Sequence, residues 1–291
     1  MKKLFLTSAL LAAMTASAQA DEVEIAFALQ AGAVPVSCSG APMPLGKSTT
    51  PARLRDARFY VQNPRLIGTD GTETPIELSQ NDWQSGAVAL IDFEDATGGC
   101  DGNKDTNTRI TGKVAPGHYV GLAFDVGVPP ELNHSNPETA AAPLDIQSMA
   151  WNWQAGRKFM KIEMLPEGGI KRATDTTRIW TLHLGSTGCV GNPAKGDAVA
   201  CTHPNRAPVR FKQFDPQRDK VVLDLQSLFA DAELSKDRGG ASGCMSALQD
   251  PECADLFPRL GLRLTDSAPG AGNAGQPLGL DVPPMFRKAP R

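Results

Sequence analysis

Val120-Gly121-Leu122-Ala123-Phe124-Asp125-Val126, which follows the turn pair Pro116-Gly117, is the stretch that sets the fold class. Its apolar residues recur at every second position. In an extended chain Val120, Leu122, Phe124 and Val126 therefore share one face, whereas a helix would scatter them. The same period appears at Val23, Ile25, Phe27 and Leu29, at Met160, Ile162 and Met164, at Trp180, Leu182 and Leu184, and weakly at Val209 and Phe211. Leu54 to Ile67 and Val88 to Phe93 are less regular but have strand composition, and Pro and Gly clusters separate the runs. Helical patterning is confined to Leu223–Leu234, where Leu225, Leu228, Phe229 and Ala232 form a stripe, and to a turn or two within Leu248–Leu260. Many strands, frequent turns and little helix predict an all-β chain: an antiparallel β-sandwich with long disulfide-stapled loops and one or two short helices.

The N-terminus reads as a targeting segment. Lys2 and Lys3 precede an apolar stretch, Leu4 to Met14, that is too short to span a bilayer. Ala18-Gln19-Ala20 is a small-x-small cleavage site, so residues 1–20 are a signal peptide. A single β-sandwich domain is expected over 21–267. The Gly/Pro/Ala-rich tail, 268–291, is expected to lie extended over the surface or to be mobile. No later apolar run has the length of a membrane span, which predicts an exported, periplasmic chain. Cleavage removes two lysines and no acids, leaving 27 basic against 32 acidic residues where there were 29 against 32, so the formal charge moves from -3 to -5. An acidic balance of this kind lacks the electrostatic footprint of a nucleic-acid binder.

All six cysteines, Cys38, Cys100, Cys189, Cys201, Cys244 and Cys253, lie beyond the signal. An even count in an exported chain reads as disulfides. Loop closure favours Cys189–Cys201 and Cys244–Cys253, which leaves Cys38–Cys100. Thiolate metal ligation is the competing reading, and the absence of any CxxC spacing weakens it.

Chemistry concentrates in two clusters. Leu132-Asn133-His134 precedes Trp151-Asn152-Trp153, and Trp180-Thr181-Leu182-His183-Leu184-Gly185-Ser186-Thr187-Gly188-Cys189 follows a strand later. The chain has only four histidines, and imidazole is a common metal ligand. Alternation turns His183 away from the face of Trp180, Leu182 and Leu184, so a solvent-facing strand histidine is the plain alternative to a ligand. A surface histidine is likewise the plain alternative for His134, and core packing for Trp151 and Trp153. Two imidazoles do not complete a site, and the methionines, acids and tryptophans nearby are the available third donors. His118 and His203 read as surface residues. Asp101 to Asn107 has the oxygen spacing of a calcium loop but lacks its turn glycine and closing glutamate, so a polar turn is expected. Asp92, Glu94 and Asp95 read as a solvated turn. Signatures of serine hydrolases, zinc proteases and P-loops are absent.

Several blocks together resemble one family. They include Phe27-Ala28-Leu29-Gln30-Ala31-Gly32, Asp56-Ala57-Arg58-Phe59-Tyr60-Val61, Leu90-Ile91-Asp92-Phe93-Glu94-Asp95, Gly121 to Pro129, Leu132-Asn133-His134, Trp151-Asn152-Trp153-Gln154, Lys158-Phe159, and His183 to Cys189. The order and extent resemble the MbnP-like family, the metallo-mystery-pair four-Cys proteins. What the resemblance implies is a periplasmic, copper-associated protein that is not an enzyme. Its partner would be a MauG-like dihaem enzyme, MbnH, which oxidises a tryptophan to kynurenine beside the copper site. Carried onto this chain, His134 and His183 are the copper ligands, either Trp151 or Trp153 is the residue oxidised, and the cysteines are structural. The rival readings are a copper-dependent redox enzyme, a sandwich that binds or adheres to another protein without metal, and a calcium-stabilised domain.

Overall fold

The computed structural model describes residues 20–152, 155–268 and 270–291. The segment expected to be a signal peptide lies, except for Ala20, outside the described residues, as do Trp153 and Gln154. The runs read as strands form β1 (Asp21–Ala31), β2 (Thr50–Gly68), β3 (Val88–Asp92), β5 (Tyr119–Val126), β6 (Met160–Pro166) and β7 (Trp180–Leu184), and a strand the sequence reading did not mark, β4 (Arg109–Val114), lies between β3 and β5. A hairpin of β8 (Thr187–Val190) and β9 (Ala200–His203) follows, then β10 (Ala207–Phe211), β11 (Asp219–Asp224), β12 (Gly243–Cys244) and β13 (Phe286–Pro290). Among the described residues helix is limited to short turns: α1 (Pro130–Asn133), α2 (Leu225–Leu228) and α3 (Cys253–Leu256) carry the α-helical ones.

Two sheets make the sandwich. The smaller, six-stranded one runs β13–β11–β1–β4 and ends on Glu77–Leu78. The larger, ten-stranded one runs β10–β5–β2–β6–β7–β12, with β3 paired onto β2. Most pairs are antiparallel, but β1–β11 and β7–β12 are parallel. The sheets meet through a closed ring of four phenylalanines. Phe27 and Phe286 come from the smaller sheet, Phe59 and Phe124 from the larger. Successive centroids lie 5.8, 5.6, 5.8 and 5.9 Å apart for Phe27–Phe59, Phe59–Phe286, Phe286–Phe124 and Phe124–Phe27. Tilted and edge-on contacts at these separations suit the quadrupoles of the rings.

The C-terminal stretch departs from the expectation for 268–291. Its Gly- and Pro-rich part leads into β13, which pairs antiparallel with β11 from Phe286↔Leu223 to Pro290↔Asp219. Met285 and Phe286 are buried, so the closing residues contribute core area that composition alone concealed. The helix expected over Leu223–Leu234 also shrinks. Its first residues extend β11, whose ladder with β1 competes successfully for the backbone, and only Leu225–Leu228 is helical. Asp224 caps that turn by accepting hydrogen bonds from the amides of Gln226 and Ser227.

Three disulfides join Cys38 to Cys100, Cys189 to Cys201 and Cys244 to Cys253. Such bonds persist in oxidising compartments. Among the described residues no helix is long and apolar enough to cross a membrane.

Phe286→Ala removes one corner of the aromatic ring and leaves a cavity between the sheets. We expect a loss of about 3 kcal/mol of stability in urea unfolding. A change within a few tenths of a kcal/mol would mean that β13 contributes nothing to the core.

Candidate metal site

The middle of strand β2, from Asp56 to Gln62, is buried on both faces. Ala57, Phe59 and Val61 point into the sandwich, so Asp56 and Arg58 point outward, yet both are at most 2 % exposed. A charge held this far from water needs a partner. Arg58 donates from Nε to Asp56 Oδ1 at 2.9 Å and makes a second, shorter contact through Nη2 to Oδ2. Register carries the pairing outward, since Lys161 of β6 lies opposite Arg58 and opposite His183 of β7. Lys161 Nζ donates to Asp56 Oδ2 at 2.6 Å and lies 3.4 Å from Glu163 Oε1. His183 Nε2 lies 2.8 Å from the same Glu163 oxygen. A line of alternating charges thus crosses three strands and ends on an imidazole.

The electrostatics settle the state of that imidazole. Burial works to raise the Glu163 carboxyl, but the hydrogen bond with His183 and the Lys161 ammonium outweigh it and hold the group at about 2. Glu163 is therefore ionised and can only accept, so Nε2 of His183 carries the proton. Burial lowers the His183 pKa despite the Glu163 hydrogen bond, which keeps the ring neutral. Its lone pair then sits on Nδ1, which is buried and has no hydrogen-bond partner among the described residues. His183 is 6 % exposed, not solvent-facing. A neutral imidazole anchored by a carboxylate on one nitrogen, with the other lone pair unused, is the arrangement of a metal ligand with its outer partner.

His134 is buried too, at the C-terminal end of α1. The amide of the preceding residue orients its lone pair. Asn133 Oδ1 accepts the Arg157 N–H at 2.9 Å, so Asn133 Nδ2 is the end that faces His134 Nε2 at 3.0 Å. The lone pair of His134 is therefore on Nε2, which also lies 3.4 Å from Cys201 Sγ. Arg157, itself wholly buried, ties this loop together by donating to the carbonyls of Asn133, Ser135 and Leu144.

Trp151 and Gly156 lie near these two histidines. The Trp151 amide bonds Gly156 O at 3.2 Å, and a side chain on Gly156 would meet His134 Cε1 at 3.0 Å. A side chain on Gly185 would meet the Trp151 ring at 2.5 Å, so glycine there permits the close approach of the indole. In an extended chain position 185 points to the same side as His183, about 7 Å further on. Trp151 is partly exposed and lines an open cleft with Ser186, Cys189 and Met245.

The other candidates separate clearly. His118 is exposed, whereas His203 is half-buried, with Nδ1 3.3 Å from Thr187 Oγ1. Met149 and Met160 are core residues. Residues 101–106 are exposed, as expected of a polar turn. The Asp92–Glu94 segment is not a solvated turn: both carboxylates are fully buried beside Arg58, with Glu94 Oε1 3.8 Å from Arg58 Nη1. The partners missed in sequence, Glu163 and Lys161, alternate with Ile162 on a strand. Charges on the outer side of a period-two run read as solvated, and only the register with β2 and β7 reveals their role.

The MbnP family model matches residues 20–246. Among solved structures, MbnP from Methylosinus trichosporium is similar, with 47% identity and a TM-score of 0.88 over 94% of this chain and 99% of that one. No curated protein matches the chain.

Burial raises the Asp92 carboxyl to about 7, against the pull of Arg58. The folded state therefore binds more protons than the unfolded one, whose carboxyl titrates near 3.9. Stability is lost as pH rises between those values and is flat above them. Asp92→Asn removes this contribution, so the melting temperature of the variant relative to wild type should climb between about pH 4 and about pH 8. A difference that stays constant with pH would show that Asp92 is already ionised in the fold.

Proposed function

From this chain's membership of the MbnP family, we propose that it is an exported, periplasmic copper-binding protein and not an enzyme, acting in copper capture or homeostasis. His134 and His183 hold the ion, and one of Trp151 and Trp153 joins the site after a MauG-like dihaem partner, MbnH-like, oxidises it to kynurenine. An unmodified indole offers only an N–H donor, so oxidation is what turns it into a ligand by supplying a ketone and an arylamine.

The observation that carries the reading is the buried, unpartnered Nδ1 of a neutral His183 whose Nε2 is fixed by Glu163. An orphaned lone pair in the interior is costly, and a metal ion satisfies it. Imidazole suits copper in both of its common oxidation states. The chain's own contribution is positioning: Glu163 sets the His183 tautomer, Asn133 aims His134 Nε2, and Gly185 lets Trp151 lie close against the strand end.

His183→Ala and His134→Ala should each lower copper affinity by at least an order of magnitude in equilibrium titration. Glu163→Gln should lower it by about tenfold or more with the fold intact. Binding unchanged in both histidine variants would end the assignment. Co-expression with the dihaem partner should convert a peptide containing residues 151 and 153 to the mass of the kynurenine form. An unaltered peptide beside active partner would remove the modification from the reading.

A further inference from the structure

We propose that the Cys189–Cys201 disulfide is a redox gate: once it is reduced, the two cysteines and His134 form a soft, three-coordinate site for Cu(I). In the hairpin β8–β9 Cys189 and Cys201 stand directly opposite each other and are joined. The ring of His134 reaches this pair from a separate loop, so that a ring nitrogen and both sulfur atoms lie within 4.8 Å of one another. The nitrogen nearest the sulfur is Nε2, the one the Asn133 amide leaves unprotonated, 3.4 Å from Cys201 Sγ. A disulfide sulfur has no proton to offer that lone pair. Two thiolates and an imidazole converging at such distances make a donor set suited to Cu(I). On metal binding the Asn133 hydrogen bond is exchanged for the ion.

Access separates this bond from the other two. Cys189 and Cys201 are both partly exposed, whereas Cys38, Cys244 and Cys253 are at most 2 % exposed, so each of the other disulfides has at least one buried end. Attack by an external thiolate requires such access. Cys189 also lines the open cleft that it shares with Trp151 and Met245, which gives a reductant and an ion a way in. The hairpin forms its own two-stranded sheet outside both layers of the sandwich, so opening the bond leaves the core ladders intact.

The electrons come from an external dithiol. Its two S–H groups become a disulfide, the Cys189–Cys201 S–S bond breaks, and the two sulfurs take up the two protons. Cu(I) then displaces those protons without changing oxidation state. The inference shares His134 with the copper site proposed above but does not depend on it, because it rests on the cluster of His134, Cys189 and Cys201 alone.

The test starts from the oxidised full-length chain. Treatment with limiting dithiothreitol, alkylation and peptide mass mapping should label Cys189 and Cys201 before the other four cysteines. Prior labelling of any other pair overturns the gate. Anaerobic addition of Cu(I) as its acetonitrile complex to the selectively reduced chain should give an X-ray absorption spectrum with two sulfur neighbours and at least one nitrogen. His134→Ala should weaken that Cu(I) binding at least tenfold. A copper shell without sulfur, or affinity unchanged in His134→Ala, overturns the site. The Cys189→Ser/Cys201→Ser chain, checked for fold by circular dichroism, should hold no sulfur-ligated copper, and sulfur ligation at undiminished affinity there also overturns the proposal. Copper that this variant binds through nitrogen and oxygen alone supports the gate and measures the His134–His183 site separately.

Discussion

On the outer face of the large sheet, the patch of Asp56, Arg58, Lys161, Glu163 and His183 is buried and charged at once, and the candidate site follows from that conflict. Asp56 is wholly removed from water in the centre of β2. Left alone, such a carboxylate would cost several kcal/mol or give up its charge. Arg58 and Lys161 both turn to it, Lys161 is in turn shared with Glu163, and Glu163 takes the proton side of His183. Each group is held in place by the next. The orientation of the terminal imidazole is thus set by a chain of ion pairs anchored where the sheet is most rigid.

The two histidines reach their states by different routes. His183 is organised by a carboxylate across a strand pair, whereas His134 is organised by a neighbouring amide whose orientation is locked by the Arg157 backbone. Both rings are nearly free of solvent, which protects their lone pairs from competing water. Gly156 lies against His134, and Trp151 lies against Gly185 just beyond His183. The hairpin carrying Cys189 and Cys201 closes over His134 from outside the sandwich and adds sulfur to an otherwise nitrogen and oxygen environment.

How much of this could be read in advance depended on the range of the interactions. Alternation in Val120–Val126 or Trp180–Leu184 is local, because the pleat alone assigns every second residue to one face. It puts His183 on the face opposite Trp180, whatever its neighbours. Whether that face meets water is not local. Lys161, Glu163, Asp92 and Glu94 have the pattern of solvent-facing charges, and nothing within their own strands announces that the outer face is covered. The ends of the chain show the same limit: the Gly- and Pro-rich composition after Ser267 reads as a loose tail, although its closing strand completes the small sheet and supplies Phe286 to the core.

From the residues in order came the β class, the shared face of Leu122, Phe124 and Val126 and of Trp180, Leu182 and Leu184, the two histidine clusters and a family resemblance carried by consecutive blocks; Val120, beside a register shift, is exposed instead of joining that face. These depend on a two-residue repeat and on short motifs, so they survive without coordinates. Tertiary structure alone decided that the charged patch around Asp56 is dry, that Glu163 and Asn133 set the tautomers of two imidazoles, and that His134 lies against a disulfide sulfur. Those outcomes join residues far apart in sequence through strand register and loop packing, and no local preference encodes such long-range contacts.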